Sequence, residues 1–129
     1  DIHAYTSLWI WPKMVASARD LFCPKYASSH WSHNQLQGTA SECLSIAPVL
    51  KKYFKDVVAN TAIGAKFHTE IASLLACIDA LETLQYTARV PTSPKLLEQR
   101  IMDHLTKYQR AYGTHGWVWK HHASIHLPM

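Results

Sequence analysis

The sequence predicts an all-α fold, a single helical domain spanning residues 1–129 with about four to five helices, on three observations. Apolar residues recur at three- and four-residue spacing through long stretches. The clearest of these stretches has a proline at its start and a glycine at its end. No run shows the sustained apolar and polar alternation with β-branched residues that marks a strand. A chain of 129 residues, 48% hydrophobic and only 17% charged, is also long enough to bury a core.

Taken in order, the first helix is expected to begin at Pro12 and to stop by Cys23-Pro24, because a proline disfavours helical geometry in the residue before it. Residues 26–40, rich in Ser, His, Asn, Gln and Gly, read as a polar connection. That is long for a loop in a small domain, so it is either functional or a join between two structural units. A helix from about Ser45 to Val58 follows, with Ile46, Leu50, Phe54, Val57 and Val58 set against Lys51, Lys52 and Lys55. Pro48 is acceptable there only in the first turn, where no amide donor is needed. The next helix covers about Ala65 to Tyr86, with Phe67, Ile71, Leu74, Leu75, Ile78 and Leu81 spaced to face a core. After a connection around Pro91, the last runs from Pro94 to Tyr112. Ser93 is placed to cap it, Pro94 suits the first helical position, and Gly113 supplies the left-handed residue that ends it. Its buried stripe is Leu97, Ile101, Leu105, Tyr108 and Tyr112.

A net charge of +4 favours an acidic partner, but the basic residues are scattered and not gathered in one run. Cys23, Cys43 and Cys77 are odd in number, far apart and never in a CxxC pair, so neither a disulfide framework nor a cysteine zinc knuckle is indicated, and a reducing compartment or simply buried thiols fits best. No apolar stretch approaches the roughly 20 residues of a transmembrane segment. The start at Asp1, without an initiator methionine or a signal pattern, reads as a mature product or a segment of something longer.

The densest chemical signal lies near the C-terminus. His122 and His126 are four apart and would share a helix face, where zinc could take them with His121 or His115 as a third ligand. Packing and hydrogen bonding are the more ordinary roles for such histidines. His30 and His33 form a second short pair in the polar connection. Lys51, Lys52 and Lys55, with Arg100, Lys107 and Arg110, occupy polar helix sides from which they could touch nucleic-acid phosphates, although a solvated face explains them equally well. Trp9, Trp11, Trp31, Trp117 and Trp119 could stack on bases; at this density aromatic residues more often build a core or a protein interface. No local pattern marks a nucleophile, and four glycines are too few for a phosphate-cradling loop.

Three stretches carry a resemblance. They are Asp1-Ile2-His3-Ala4-Tyr5 (D-x-H-x-Y), Gly38-Thr39-Ala40-Ser41-Glu42-Cys43-Leu44 (G-x-A-S-E-x-L) with Pro48-Val49-Leu50 after it, and Ala111-Tyr112-Gly113 continuing to Lys120-His121-His122 and His126-Leu127-Pro128. In that order they resemble the distal, C-terminal region of transposase-like proteins of large eukaryotic mobile elements. The resemblance implies kinship with a ribonuclease H-like core that holds magnesium ions on three acidic residues. Two such metals clamp the attacking and leaving oxygens of phosphodiester transfer. Position by position, Asp1 and Glu42 correspond to members of that acidic set. The chain departs from the pattern in three ways: the region supplying the first carboxylate is absent, Trp119 stands where proline is usual, and no methionine separates Ile2 from His3. Read by itself, Glu42 is also an ordinary helix-start carboxylate beside a Thr39 or Ser41 cap. The expectation is therefore a transposase-derived binding or assembly module, without catalytic activity on its own, whose partner is a protein of a larger assembly or a nucleic acid. The alternatives are a small structural subunit of a complex and the remnant of a metal-dependent nuclease.

Overall fold

The computed structural model describes residues 1–33, 35–91 and 93–114, and among them every regular element is helical. The all-α expectation holds. His115, Trp117, Trp119, His121, His122 and His126 lie outside the described residues, and so does the ending that carries them. Contacts group the chain into two compact units, Asp1–Asp56 and Val57–Met129.

In the first unit, α1 (Ile2–Ser7) starts on Asp1, whose Oδ1 accepts the amide of His3 at 2.8 Å. Thr6, fully buried, lies within 3.0 Å of the His3 and Arg19 carbonyls, either of which its hydroxyl can donate to. Arg19 belongs to a 3-10 segment, Lys13–Asp20, that stands where an ordinary helix to Cys23 was expected. The segment leaves helical geometry at Val15 (φ −130°), a β-branched residue. It closes with Leu21 donating three residues back to Ala18, the tight pattern of 3-10 turns.

α2 (Pro24–His33) occupies most of the expected polar connection, and residues 35–39 are irregular. Its composition misled because the helix buries no residue fully, so polar side chains cost nothing there. Pro24 takes the donor-free first position, the Cys23 carbonyl accepts from Tyr26 and Ala27, and Ser32 Oγ donates back to the Ser29 carbonyl.

α3 (Ala40–Asp56) begins five residues earlier than the periodicity placed it, so Pro48 sits mid-helix and not in the first turn. The early start comes from Thr39 and Glu42. Thr39 Oγ1 accepts the Glu42 amide at 3.2 Å while Glu42 Oε2 accepts the Thr39 amide at 2.8 Å, a complete capping box. Pro48 faces solvent, where the carbonyl left without its amide can turn to water. Ile46, Ala47, Val49 and Leu50 form the buried side of α3, which packs on the 3-10 segment and α1. Ala18 and Leu21 are buried in the same unit, and Tyr5 meets Tyr53 at 5.1 Å between ring centroids.

The second unit opens with a 3-10 turn, Val58–Asn60, and α4 (Ala62–Lys66), capped by Thr61 Oγ1 accepting the Gly64 amide at 3.2 Å. A Cβ on Gly64 would lie 2.1 Å from the Val58 carbonyl oxygen, so only glycine fits this approach. The helix expected across 65–86 is divided. Phe67 leaves helical geometry (φ −109°, ψ 30°) and is 43% exposed, outside the stripe proposed for it, and α5 starts anew over His68–Thr87. α6 (Pro94–Tyr112) has the expected bounds and packs along α5. Leu97, Ile101 and Leu105 are buried, with Ala80 of α5 against them. Ser73, Ala76 and Ile78 are buried on α5, so small residues let the two helices approach. Two details differ from expectation: Ser93 makes no side-chain cap bond, and Tyr112 is 52% exposed. Gly113 ends α6 with φ 69°, its amide donating to the Gln109 carbonyl at 2.8 Å.

Candidate functional site

The two candidate catalytic acids each stand at the start of a helix. Asp1 caps α1. Glu42 carries three interactions: besides the capping box, its Oε1 accepts the Ser17 hydroxyl at 2.6 Å, tying α3 to the 3-10 segment. The Ser17 bond, followed by the Thr39 amide, holds the Glu42 carboxyl below its ordinary value. Glu42 is therefore an anion already supplied with donors. Among the described residues, no group of three or more His, Cys, Asp or Glu side chains is placed to hold a metal such as magnesium or zinc.

His30 and His33 do not pair as ligands. Gln37 N–H donates to His30 Nδ1 at 2.9 Å, so Nδ1 is bare and the proton sits on Nε2, which donates to the Leu21 carbonyl at 2.6 Å. The ring thus clamps both sides of α2 to neighbouring backbone. His33 turns Nδ1 to the Ser29 carbonyl at 2.9 Å. Burial pushes the Cys77 thiol upward, and burial followed by the Glu42 charge does the same to Cys43, so neither is poised as a nucleophile.

The six basic candidates fall into two sets on different units. On α3, Lys52 is ion-paired to Asp56 at 2.7 Å, which raises its pKa, and Lys51 and Lys55 share its helix. On α6, Arg100 reaches Asp79 at 3.7 Å, Lys107 reaches Asp103 at 2.9 Å, and Arg110 is exposed in the last turn. Lys52, Arg100 and Lys107 therefore each have a carboxylate of the chain itself as neighbour, which lowers the local potential available to a phosphate backbone.

What the first unit does offer is exposed apolar surface. Ile2, Phe22, Ala27, His30, Trp31 and Gln35 line an open groove of about 600 Å³. This lies in the size range of ligand and side-chain pockets. Its wall is largely apolar, and Trp31 is 80% exposed at α2. With both ring nitrogens of His30 already bonded, the Gln35 amide and the Trp31 indole N–H are polar groups of the lining that can orient an occupant. The periodicity argument missed this groove because it read residues 26–40 as a connection. Ala27, His30 and Trp31 stand at i, i+3 and i+4, the spacing that puts them on one helix face. A second apolar feature follows α1: Leu8, Ile10 and Met14 are 83%, 98% and 97% exposed.

No known protein family, curated protein or solved structure matches the chain at a significant level.

Proposed function

We propose that the chain is a helical binding or assembly module, descended from a transposase-like protein of a mobile element and without catalytic activity on its own. The lineage is supported by the D-x-H-x-Y, G-x-A-S-E-x-L and K-H-H-x-x-x-H-L-P segments. The observation that carries the binding role is the apolar groove of the first unit, with Trp31 80% exposed at its wall. Aromatic side chains in such settings are the usual anchors of protein interfaces. A protein partner that inserts an apolar side chain beside Trp31 is the occupant this wall favours. The engagement of Glu42 with Ser17 and Thr39 supports the lack of catalysis, because a two-metal nuclease needs its carboxylates on the metals.

The test places a photoreactive benzoylphenylalanine at Trp31 and, as control, at Lys55 in the full chain within an extract of its source cells. The expected result is a discrete protein adduct from position 31 and none from position 55. Duplex and single-stranded DNA are titrated in parallel across a salt series, with and without magnesium or zinc. Tight DNA binding that falls steeply with salt and is weakened by Lys55→Glu would overturn the protein-partner reading in favour of a nucleic-acid module. Magnesium-dependent plasmid nicking abolished by Glu42→Gln would restore the nuclease reading.

A further inference from the structure

The stretch from Leu8 to Met14, which runs from the end of α1 into the 3-10 helix, leaves three apolar side chains mostly in solvent, while Trp9 and Trp11 are more covered. Ile10 and Met14, at 98% and 97% exposure, have next to nothing covering them, and Leu8 is at 83%. Scattered apolar residues on a surface are ordinary, but three within seven positions at nearly complete exposure form a projecting tip. The tip is held from below. Trp11 Nε1 donates to the Thr6 carbonyl at 2.9 Å, the Trp9 amide donates to the same carbonyl at 3.3 Å, and Val15 closes a turn on Pro12 at 3.0 Å. The aliphatic side chains are thus displayed on an ordered backbone.

Its charge is as informative as its hydrophobicity. From Ile2 to Ala18 there is no acidic residue, and Lys13, at the tip, is the one formally charged side chain in a protein of net charge +4. Aliphatic side chains that project singly fit a deformable apolar medium better than a rigid protein surface, which needs a broad packed patch of roughly 800 Å² on each partner. Tryptophan beside them suits the boundary between acyl chains and headgroups, where its ring is apolar and its N–H polar. A cation flanking such a tip meets the negative potential of anionic lipids. No helix among the described residues is long and apolar enough to cross a membrane, so a bilayer would be met at its surface.

We propose that Leu8, Ile10 and Met14 form a membrane-docking tip that inserts into the headgroup boundary of an anionic bilayer, with Trp9 at that boundary and Lys13 against the lipid charge. This goes beyond the groove at Trp31 and does not depend on it. Insertion strength follows the apolar area buried plus attraction to anionic headgroups, so the two contributions separate by mutation. The experiment is flotation of the full chain with vesicles of phosphatidylcholine alone and of phosphatidylcholine mixed with phosphatidylserine. The wild type is expected to float with the mixed vesicles. Ile10→Asp combined with Met14→Asp is expected to lower the bound fraction about tenfold or more, with circular dichroism unchanged because neither side chain supports the core. Lys13→Glu is expected to weaken binding to the mixed vesicles about fivefold while leaving phosphatidylcholine alone unaffected. Failure of the wild type to float with either vesicle overturns the proposal, as does flotation indifferent to the double substitution. Concentration-dependent self-association that the double variant loses, without vesicle binding, reassigns the tip to a protein contact. Cross-linking at Trp31 is read separately, so failure at the tip leaves the groove untouched.

Discussion

Helix α6 and the Leu8–Met14 segment use the same kinds of side chain and dispose of them in opposite ways. On α6, Leu97, Ile101 and Leu105 recur every four residues, fall on one stripe and are buried against α5. Along Leu8–Met14, Leu8, Ile10 and Met14 are separated by two and four residues on a backbone that is part loop and part 3-10, and all three project into solvent. The difference teaches that hydrophobicity by itself does not say which residues build the protein. Periodicity matched to the local backbone turns apolar residues into a core; without it they become a surface looking for a partner.

The hardest test of that contrast makes one chemical change at both places. Ile101→Ala should cost about 2–4 kcal/mol through lost transfer energy and a residual cavity, whereas Ile10→Ala should move the urea midpoint by an amount within error. A comparable loss at Ile10 would break the comparison. Pro48 lies between the two extremes, in a packed helix but on its outer side. Pro48→Ala restores a donor to the carbonyl four residues earlier and is expected to stabilise by roughly 1–3 kcal/mol, read as a higher thermal midpoint. A fall in the midpoint would mean that proline shapes the helix in a way packing requires.

Smaller effects sharpen the boundary between cap and site. Thr39→Ala should cost about 1 kcal/mol. The Glu42 carboxyl is lowered in the folded chain, first by Ser17 and then by the Thr39 amide. Its contribution is therefore complete above the unfolded value near 4.5 and fades as pH falls through the lower folded value. The excess stability of wild type over Glu42→Gln should thus be visible at neutral pH and shrink in acid. An excess that persists at low pH would point to packing and not charge. Smallest of all, Lys107→Ala should change stability by no more than about 0.5 kcal/mol, because its pair with Asp103 is an exposed one.

Much of the fold was legible where one strong signal governed a whole element. Pro94 and Gly113 bracket α6, and its stripe needed nothing beyond helical spacing. Elsewhere the deciding contact was distant in sequence or invisible to periodicity. The division at Phe67 comes just after the close approach of Gly64 to the Val58 carbonyl, and the tight turns of Lys13–Asp20 end where Thr6 reaches the Arg19 carbonyl, contacts that no local spacing announces. The polar face of α2 hid a helix because a weakly buried element carries no apolar stripe to detect. For the site, the box linking Thr39 and Glu42 could be read from its three-residue spacing, yet the Ser17 bond that completes it spans 25 positions. The groove needed α2 to be recognised first, after which Ala27, His30 and Trp31 fall together.

His30 has one more consequence, in the order of folding events. Its two ring bonds span nine residues, to Leu21, and seven, to Gln37. Loops of about ten residues close in roughly 10–100 ns, well before contacts between distant segments are searched. The imidazole is thus able to gather Leu21 through Gln37 into an early local unit that presents Thr39 and Glu42 for the start of α3. If that unit forms before the transition state, a His30→Ala chain refolds more slowly and does not merely unfold faster, which stopped-flow refolding and unfolding rates measure.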